Sequence, residues 1–265
     1  MDTWRTPDGR VTLAYEAVGD GRPVVLLHAF PLCREMWAAQ RGLADRFRVV
    51  TPDLFGFGGS PVPAGGWTMD AMADALAAFL PGIGIAQPVV LGGLSMGGYV
   101  ALAFARKYPD RLRGLVLADT RAEADTAEAK ANRDKTIALA RSESSVAVVE
   151  QMLPKLLGEF TRKNRPHVVG EVLRIGTAQS ADGIAAALAA MRDRPDSTAL
   201  LPTIRVPALV VVGAEDALTP PDGARAMAAA IPDARLDVIP TAGHLSAMEC
   251  PAEFTTAVRM FLASL

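Results

Sequence analysis

The sequence predicts an α/β protein: a mostly parallel central sheet flanked by helices and interrupted by a helical insertion. Three observations carry this expectation. Val24-Val25-Leu26-Leu27, Val89-Val90-Leu91 and Ala208-Leu209-Val210-Val211-Val212 are apolar runs without alternation, the pattern of strands covered on both faces. Strand patterns and helix patterns then alternate at both ends of the chain, as sheet-and-crossover units do. Between Leu117 and Ala208 the alternation stops, and helix follows helix over a stretch too long for a loop.

In chain order, the expected strands are Val11–Glu16, Val24–Leu27, Arg48–Thr51, Val89–Leu91, Leu112–Leu117, Ala208–Val212 and Arg235–Ile239. Core helices are expected near Met36–Ala44, Met69–Leu80, Gly97–Lys107, Gly223–Ala230 and Pro251–Leu262. The insertion reads as Glu123–Arg141, Ser145–Leu157, Arg165–Ile175 and Ala181–Met191. The division predicted is a core of residues 1–120 and 204–265 and a helical cap of residues 121–203.

Composition narrows the function classes. Half of the 265 residues are hydrophobic and 21% are charged, which suits a globular domain with a full core. The formal charge of −2 and the lack of a basic block argue against nucleic-acid binding. Two cysteines, Cys33 and Cys250, cannot make a disulfide framework. Three histidines without zinc spacing imply no metal site, and no cofactor is implied. There is no apolar leader and no run of membrane-spanning length, so a cytoplasmic protein acting on a small molecule is expected. The oligomeric state is left open.

Gly93-Leu94-Ser95-Met96-Gly97 fits G-x-S-x-G between a strong strand and a strong helix, the context that motif requires. Such a turn strains the central residue and crowds out Cβ atoms two residues to either side. Ser95 should stand above the sheet's carboxyl edge at a helix N-terminus, where the dipole favours negative charge. A serine hydroxyl needs a base. His244, in Ala242-Gly243-His244-Leu245 after the last strand, is the leading candidate; His28, at the end of Val24–Leu27, is its rival. His167 lies in the insertion and reads as a surface residue. The base needs a carboxylate to fix its tautomer. Asp216, after Ala208–Val212, fits best, with Asp119 and Glu215 as rivals. Asp53 reads as a turn-ordering residue. Oxyanion donors are expected at the backbone N–H of Met96 and of Phe30; Pro31 has no N–H to offer.

The order Ser95, Asp216, His244 is the nucleophile–acid–base order of α/β-hydrolases, which the chain resembles over essentially its whole length. Within that superfamily it is similar to small bacterial carboxylesterases and 3-oxoadipate enol-lactonase-like proteins. The resemblance is carried by His28-Ala29-Phe30-Pro31-Leu32, Pro52–Gly58, Gly92–Gly98, Leu117–Ala122, Arg194–Thr198 and Gly243-His244-Leu245. Ala29 stands where the family usually has glycine, which is compatible with a negative φ there. The resemblance implies an α/β-hydrolase fold, with the cap inserted after the sixth strand. It also implies a carboxylesterase acting through a Ser-His-Asp triad and an acyl-enzyme on short- to medium-chain esters. The alternatives are a lactonase of the enol-lactonase type and, in another class, a non-catalytic ligand-binding protein on the same fold. A carboxylate-bearing lactone would want a cation, and Arg121, Arg141, Lys155 and Arg162 are available. The acyl pocket is expected to be walled by Leu32, by Met152, Leu153, Leu156, Leu157 and Phe160 from the cap, and by Leu218 beside the acid.

Overall fold

The computed structural model describes residues 1–265. Eight strands form one sheet: β1 (Asp2–Arg5), β2 (Thr12–Val18), β3 (Arg22–Leu27), β4 (Phe47–Pro52), β5 (Val89–Leu94), β6 (Leu112–Ala118), β7 (Ala208–Gly213) and β8 (Ala234–Ile239), in the spatial order β1-β2-β4-β3-β5-β6-β7-β8. β1 and β2 are antiparallel to their neighbours, and every later pairing is parallel. β3, β5 and β7 are buried almost throughout, which is why their sequences do not alternate.

Helices α1 (Met69–Gly82), α2 (Met96–Lys107), α8 (Pro221–Ala230), α9 (Ser246–Glu249) and α10 (Pro251–Ala263) belong to the sheet layers. In α2, every residue from Met96 to Ala105 is buried, so this helix lies in the middle of the molecule with no wet face. Thr68 caps α1 by accepting a hydrogen bond from the Ala71 N–H (3.1 Å). The helix expected at Met36–Ala44 is instead two 3₁₀ segments, Arg34–Trp37 and Ala39–Asp45. The pattern of apolar residues is the same, but short connectors often take the tighter winding.

Between β6 and β7 come α3 (Ala127–Ser142), α4 (Ser145–Leu156), α5 (Glu159–Asn164), α6 (Pro166–Thr177) and α7 (Ala181–Arg192). α3 packs on α7, and α4 packs on α6. The first insertion helix begins at Ala127, not Glu123, because Thr126 caps it and residues 123–125 serve as a clamp. The Asp125 carboxylate holds both Arg194 (2.7 Å) and Arg133. Ser197 N–H reaches the Ala122 carbonyl (2.8 Å), and Ala124 N–H reaches Asp196 (2.9 Å). The two segments singled out in sequence, Asp119–Ala122 and Arg194–Thr198, are therefore the two ends of the insertion bound to each other.

The parallel register sets Leu27 beside Gly93, Leu94 beside Ala118, Ala118 beside Val211, and Gly213 beside Ile239. Five strand ends thus share one edge, from which the loops carrying residues 28–32, 95, 119, 216 and 244 all start. No helix is long and apolar enough to cross a membrane.

Candidate active site

Ser95 sits at the turn from β5 to α2 with φ 55° and ψ −112°. The left-handed φ is costly for a residue with a side chain, and the surroundings enforce it. Ser95 N–H donates to the Ala118 carbonyl (2.9 Å), while the Ser95 carbonyl accepts from the Gly98 N–H and the Thr120 hydroxyl (both 2.9 Å). The flanking glycines leave the turn room to exist: a Cβ on Gly93 would lie 2.1 Å from the Gly97 carbonyl oxygen, and one on Gly97 would lie 2.3 Å from that of Leu27.

A continuous hydrogen-bonded chain starts at this serine. Ser95 Oγ is 2.7 Å from His244 Nε2, and His244 Nδ1 is 2.8 Å from Asp216 Oδ2. Asp216 is itself anchored. Asp216 Oδ1 accepts from the N–H groups of Leu218 (2.8 Å) and Thr219 (2.9 Å), and Oδ2 accepts from the Thr219 hydroxyl (2.6 Å). Burial pushes the Asp216 carboxyl up, but the His244 charge and these hydrogen bonds outweigh it, so the group is held below the usual carboxylate range. Thr219 was missed in sequence, although an aspartate three residues before a threonine is a recognisable turn signal.

The rivals are placed elsewhere. Asp119 is fully buried with φ 44°. It accepts from Gly213 N–H (2.8 Å) and from both the N–H (3.2 Å) and the hydroxyl of Ser246, and makes no bond to His244. Burial and the adjacent Asp216 push its carboxyl well above the usual value. Glu215 accepts from Phe160 N–H (3.0 Å). His28 is buried among the loops: its Nε2 accepts from Leu54 N–H (2.8 Å), which makes Nδ1 the protonated nitrogen facing the Ala29 carbonyl (3.0 Å). Desolvation pulls its pKa down, in keeping with a neutral ring. His167 is exposed on α6. Asp53 does order its turn, accepting from the N–H groups of Arg34 and Gly59 (both 2.9 Å) and pairing with the Arg34 guanidinium.

Met96 is the first residue of α2, so its N–H is one of the donors a helix leaves without an internal acceptor. Phe30 follows β3 on the same edge, and its ring packs edge-on against Phe57 (6.1 Å). Ser95 and Asp119 are the non-glycine residues with positive φ. Ala29 is not among them, so alanine is accommodated there.

A cavity of about 90 Å³ opens from Ser95 and His244. Three predicted wall residues, Met152, Leu156 and Leu218, line it together with Phe30, Tyr99, Met191 and Thr219. The other four predicted wall residues do not line it, for identifiable reasons. Leu32 is fully buried behind the loop, facing Gly176 of α6. Met152 and Leu156 are one helical row, whereas Leu153 and Leu157 belong to the next row round α4 and turn into core packing. Helical geometry also ends at Leu156, because Leu157 is extended. Phe160 therefore falls out of the stripe and lies on the surface under the Arg165 guanidinium, 5.0 Å from the ring centre. Arg121 and Arg133 also line the cavity. Arg133 was not foreseen, because its placement depends on how α3 folds back over the sheet.

A family model for the alpha/beta hydrolase fold matches residues 22–251. The chain belongs to the α/β-hydrolase family. It is 50% identical in sequence to a thermophilic esterase from Thermogutta terrifontis, solved with malate bound, with a TM-score of 0.94 over 99% of this chain and 96% of that one. It is 29% identical to the enol-lactonase from Burkholderia xenovorans, with a TM-score of 0.88 over 96% and 97%. A pimeloyl-[acyl-carrier protein] methyl ester esterase of Chromobacterium violaceum is 31% identical over 94% of this chain and 97% of that protein. The sequence-based expectation of an α/β-hydrolase fold and of this resemblance holds. At the level these relatives share, the chain is a hydrolase.

Proposed function

We propose that this α/β-hydrolase is a serine carboxylesterase that works through Ser95, His244 and Asp216 under a cap of residues 121–203. The observation that carries the reading is the unbroken chain from Ser95 Oγ through both nitrogens of His244 to Asp216, at the mouth of a cavity. His244 Nε2 takes the Ser95 proton as Oγ bonds to the ester carbonyl carbon. The carbonyl oxygen becomes an oxyanion held by the N–H groups of Met96 and Phe30. As the tetrahedral adduct collapses, His244 returns the proton to the departing alkoxide, leaving an acyl-enzyme on Ser95. Water then attacks the acyl carbon, giving its proton to His244, and the second collapse frees the acid and restores the serine. The small cavity supports a preference for short acyl groups. A lactone would open by the same steps, its alcohol remaining tethered to the acid, and the enol-lactonase among the relatives supports keeping that reading.

The test is Ser95→Ala, assayed on nitrophenyl esters, beside mass spectrometry of the wild type after an organophosphate. Loss of turnover in a folded variant, and a single adduct on Ser95, are expected. An adduct on Ser60 or Ser246, or an active variant, would overturn the assignment.

A further inference from the structure

The N–H of Phe30 belongs to the peptide group between Ala29 and Phe30, so whatever fixes the Ala29 carbonyl also fixes that N–H. This peptide is trans, and in a trans peptide the carbonyl and the N–H share one plane and point opposite ways. The Ala29 carbonyl accepts from His28 Nδ1 (3.0 Å) and from Leu32 N–H (2.9 Å). Phe30 N–H is thereby turned to the far side of the peptide. Phe30 is almost fully buried, yet its N–H donates to no group of the molecule. The same residue lines the cavity with Ser95 and His244. Buried backbone donors without a partner are rare, and one beside a nucleophile is left for a ligand atom.

Of the two donors on the Ala29 carbonyl, the imidazole is the one that could lose its proton to another position. Leu54, in the loop after β4, prevents this. Its N–H donates to His28 Nε2 (2.8 Å), so Nε2 must stay bare and the neutral ring must carry its proton on Nδ1. The ring is fully buried, with the Phe57 ring edge-on against it (5.2 Å), and Phe57 in turn meets the Phe30 ring. Two donors on one carbonyl also polarise the amide and strengthen its N–H as a donor.

We infer that His28 is a positioning residue for the oxyanion site: its Nδ1 proton, confined there by Leu54 N–H, aims Phe30 N–H at the oxygen that becomes negative when Ser95 attacks. The inference rests on the hydrolase reading above. His28 itself is not part of the cavity wall.

The test uses the two side-chain amides, each of which reproduces one imidazole nitrogen. His28→Asn keeps a donor in the place of Nδ1 and gives up the acceptor for Leu54. His28→Gln keeps an acceptor in the place of Nε2 and gives up the donor to Ala29. Each is assayed on a nitrophenyl ester and for inhibition by a trifluoromethyl ketone, whose Ser95 adduct carries an oxyanion, with melting temperature as the check on folding. Loss of an oxyanion donor outright costs about 10²–10³-fold in kcat, so a misaimed one should cost about 10- to 100-fold. That loss is expected in His28→Gln with KM little changed, and ketone affinity should fall by the same factor. His28→Asn should retain most of both. A His28→Gln as active as His28→Asn, or a fall in kcat without a fall in ketone affinity, overturns the inference, since bracing of one loop by the other would favour Gln. Should neither variant fold, nuclear magnetic resonance of the wild type decides it. The His28 proton should be on Nδ1, and the Phe30 amide proton should shift when the ketone binds; a proton on Nε2, or an unmoved Phe30 amide, overturns it. A wild type that turns over no ester and binds no ketone removes the hydrolase reading itself, whereas an active wild type with an indifferent His28→Gln removes only the positioning role.

Discussion

Asp216→Asn is the most informative single change, because the structure dictates which way the new amide must face. Asp216 Oδ1 already accepts two backbone N–H groups, from Leu218 at 2.8 Å and Thr219 at 2.9 Å. The amide oxygen must stay there, since an NH2 group in that place would confront two donors. The NH2 group is therefore forced into the Oδ2 position, 2.8 Å from His244 Nδ1. A donor at that point requires Nδ1 to accept, so the ring proton moves to Nε2. Nε2 then points a proton at Ser95 Oγ (2.7 Å) and cannot remove one. The Thr219 hydroxyl, now without a carboxylate to donate to, can turn and accept from the amide, which stabilises the wrong tautomer further. A wrong tautomer costs a serine triad about 10⁴-fold in kcat, equivalent to about 5.4 kcal/mol of barrier at 1.36 kcal/mol per decade. The assay is steady-state hydrolysis of a nitrophenyl ester, with melting temperature as the check on folding. Retention of more than about a tenth of the wild-type rate in a folded Asp216→Asn, or an equal loss in Asp119→Asn, would refute the reasoning.

Other consequences can be measured on the same preparations. Leu156→Ala and Met191→Ala both enlarge the cavity and should shift the acyl-chain profile toward longer esters, each accommodated methylene contributing about 0.8 kcal/mol; an unchanged profile places the wall elsewhere. Leu32→Ala should leave the profile alone but destabilise the fold by about 2–5 kcal/mol, because it empties a fully buried site behind the loop, and a chemical denaturation curve reads that loss. Asp119 holds its proton to higher pH when folded than when unfolded, so between the two pKa values its contribution to stability falls as pH rises. The stability lead of wild type over Asp119→Asn should therefore shrink from about pH 4 upward, and a lead that grows with pH in urea melts contradicts this.

How much of this was legible in the chain depended on whether the cause was local. The elbow was legible because Gly93, Ser95 and Gly97 are close in sequence and the steric demand falls on those same residues. The position of Asp216 was legible because the buried strand before it announces itself by composition, and that of His244 because it follows the half-exposed last strand on a short glycine-bearing loop; strand ends in such a sheet share an edge. Asp119 stayed open as a rival acid for the same reason: it too ends a buried strand, and only the side-chain bonds to Gly213 and Ser246 separate it from Asp216. The pocket wall was half legible. Helical spacing identified the α4 stripe but not which of its adjacent rows faces the cavity, since that is fixed by how α4 packs on α6. Arg133 left no sequence signal, because its environment is assembled from Asp125 and Met191 across two helices. β1 was missed because its four residues alternate weakly and stand at the sheet's exposed edge.

The insertion does more than roof the cavity, because the loop bearing His244 is fastened to it. Glu249 is almost fully buried, and its Oε1 accepts from the N–H groups of Gly243 (2.9 Å) and Leu245 (3.1 Å), one on each side of His244. Its other oxygen accepts from the N–H of Gly158 (2.8 Å), where α4 gives way to α5. Gly158 and Gly243 meet backbone to backbone: a Cβ on Gly243 would lie 2.2 Å from the Gly158 nitrogen. Glu215, next to the acid, binds the same turn through Phe160 N–H (3.0 Å). The Asp216 loop and the His244 loop are thus both tied to one turn of the insertion by the carboxylates of Glu215 and Glu249. A rigid attachment of this kind keeps His244 Nε2 within hydrogen-bond reach of Ser95 while the rest of α4 sets the width of the cavity. Pocket shape can then change through Met152 and Leu156 without moving His244.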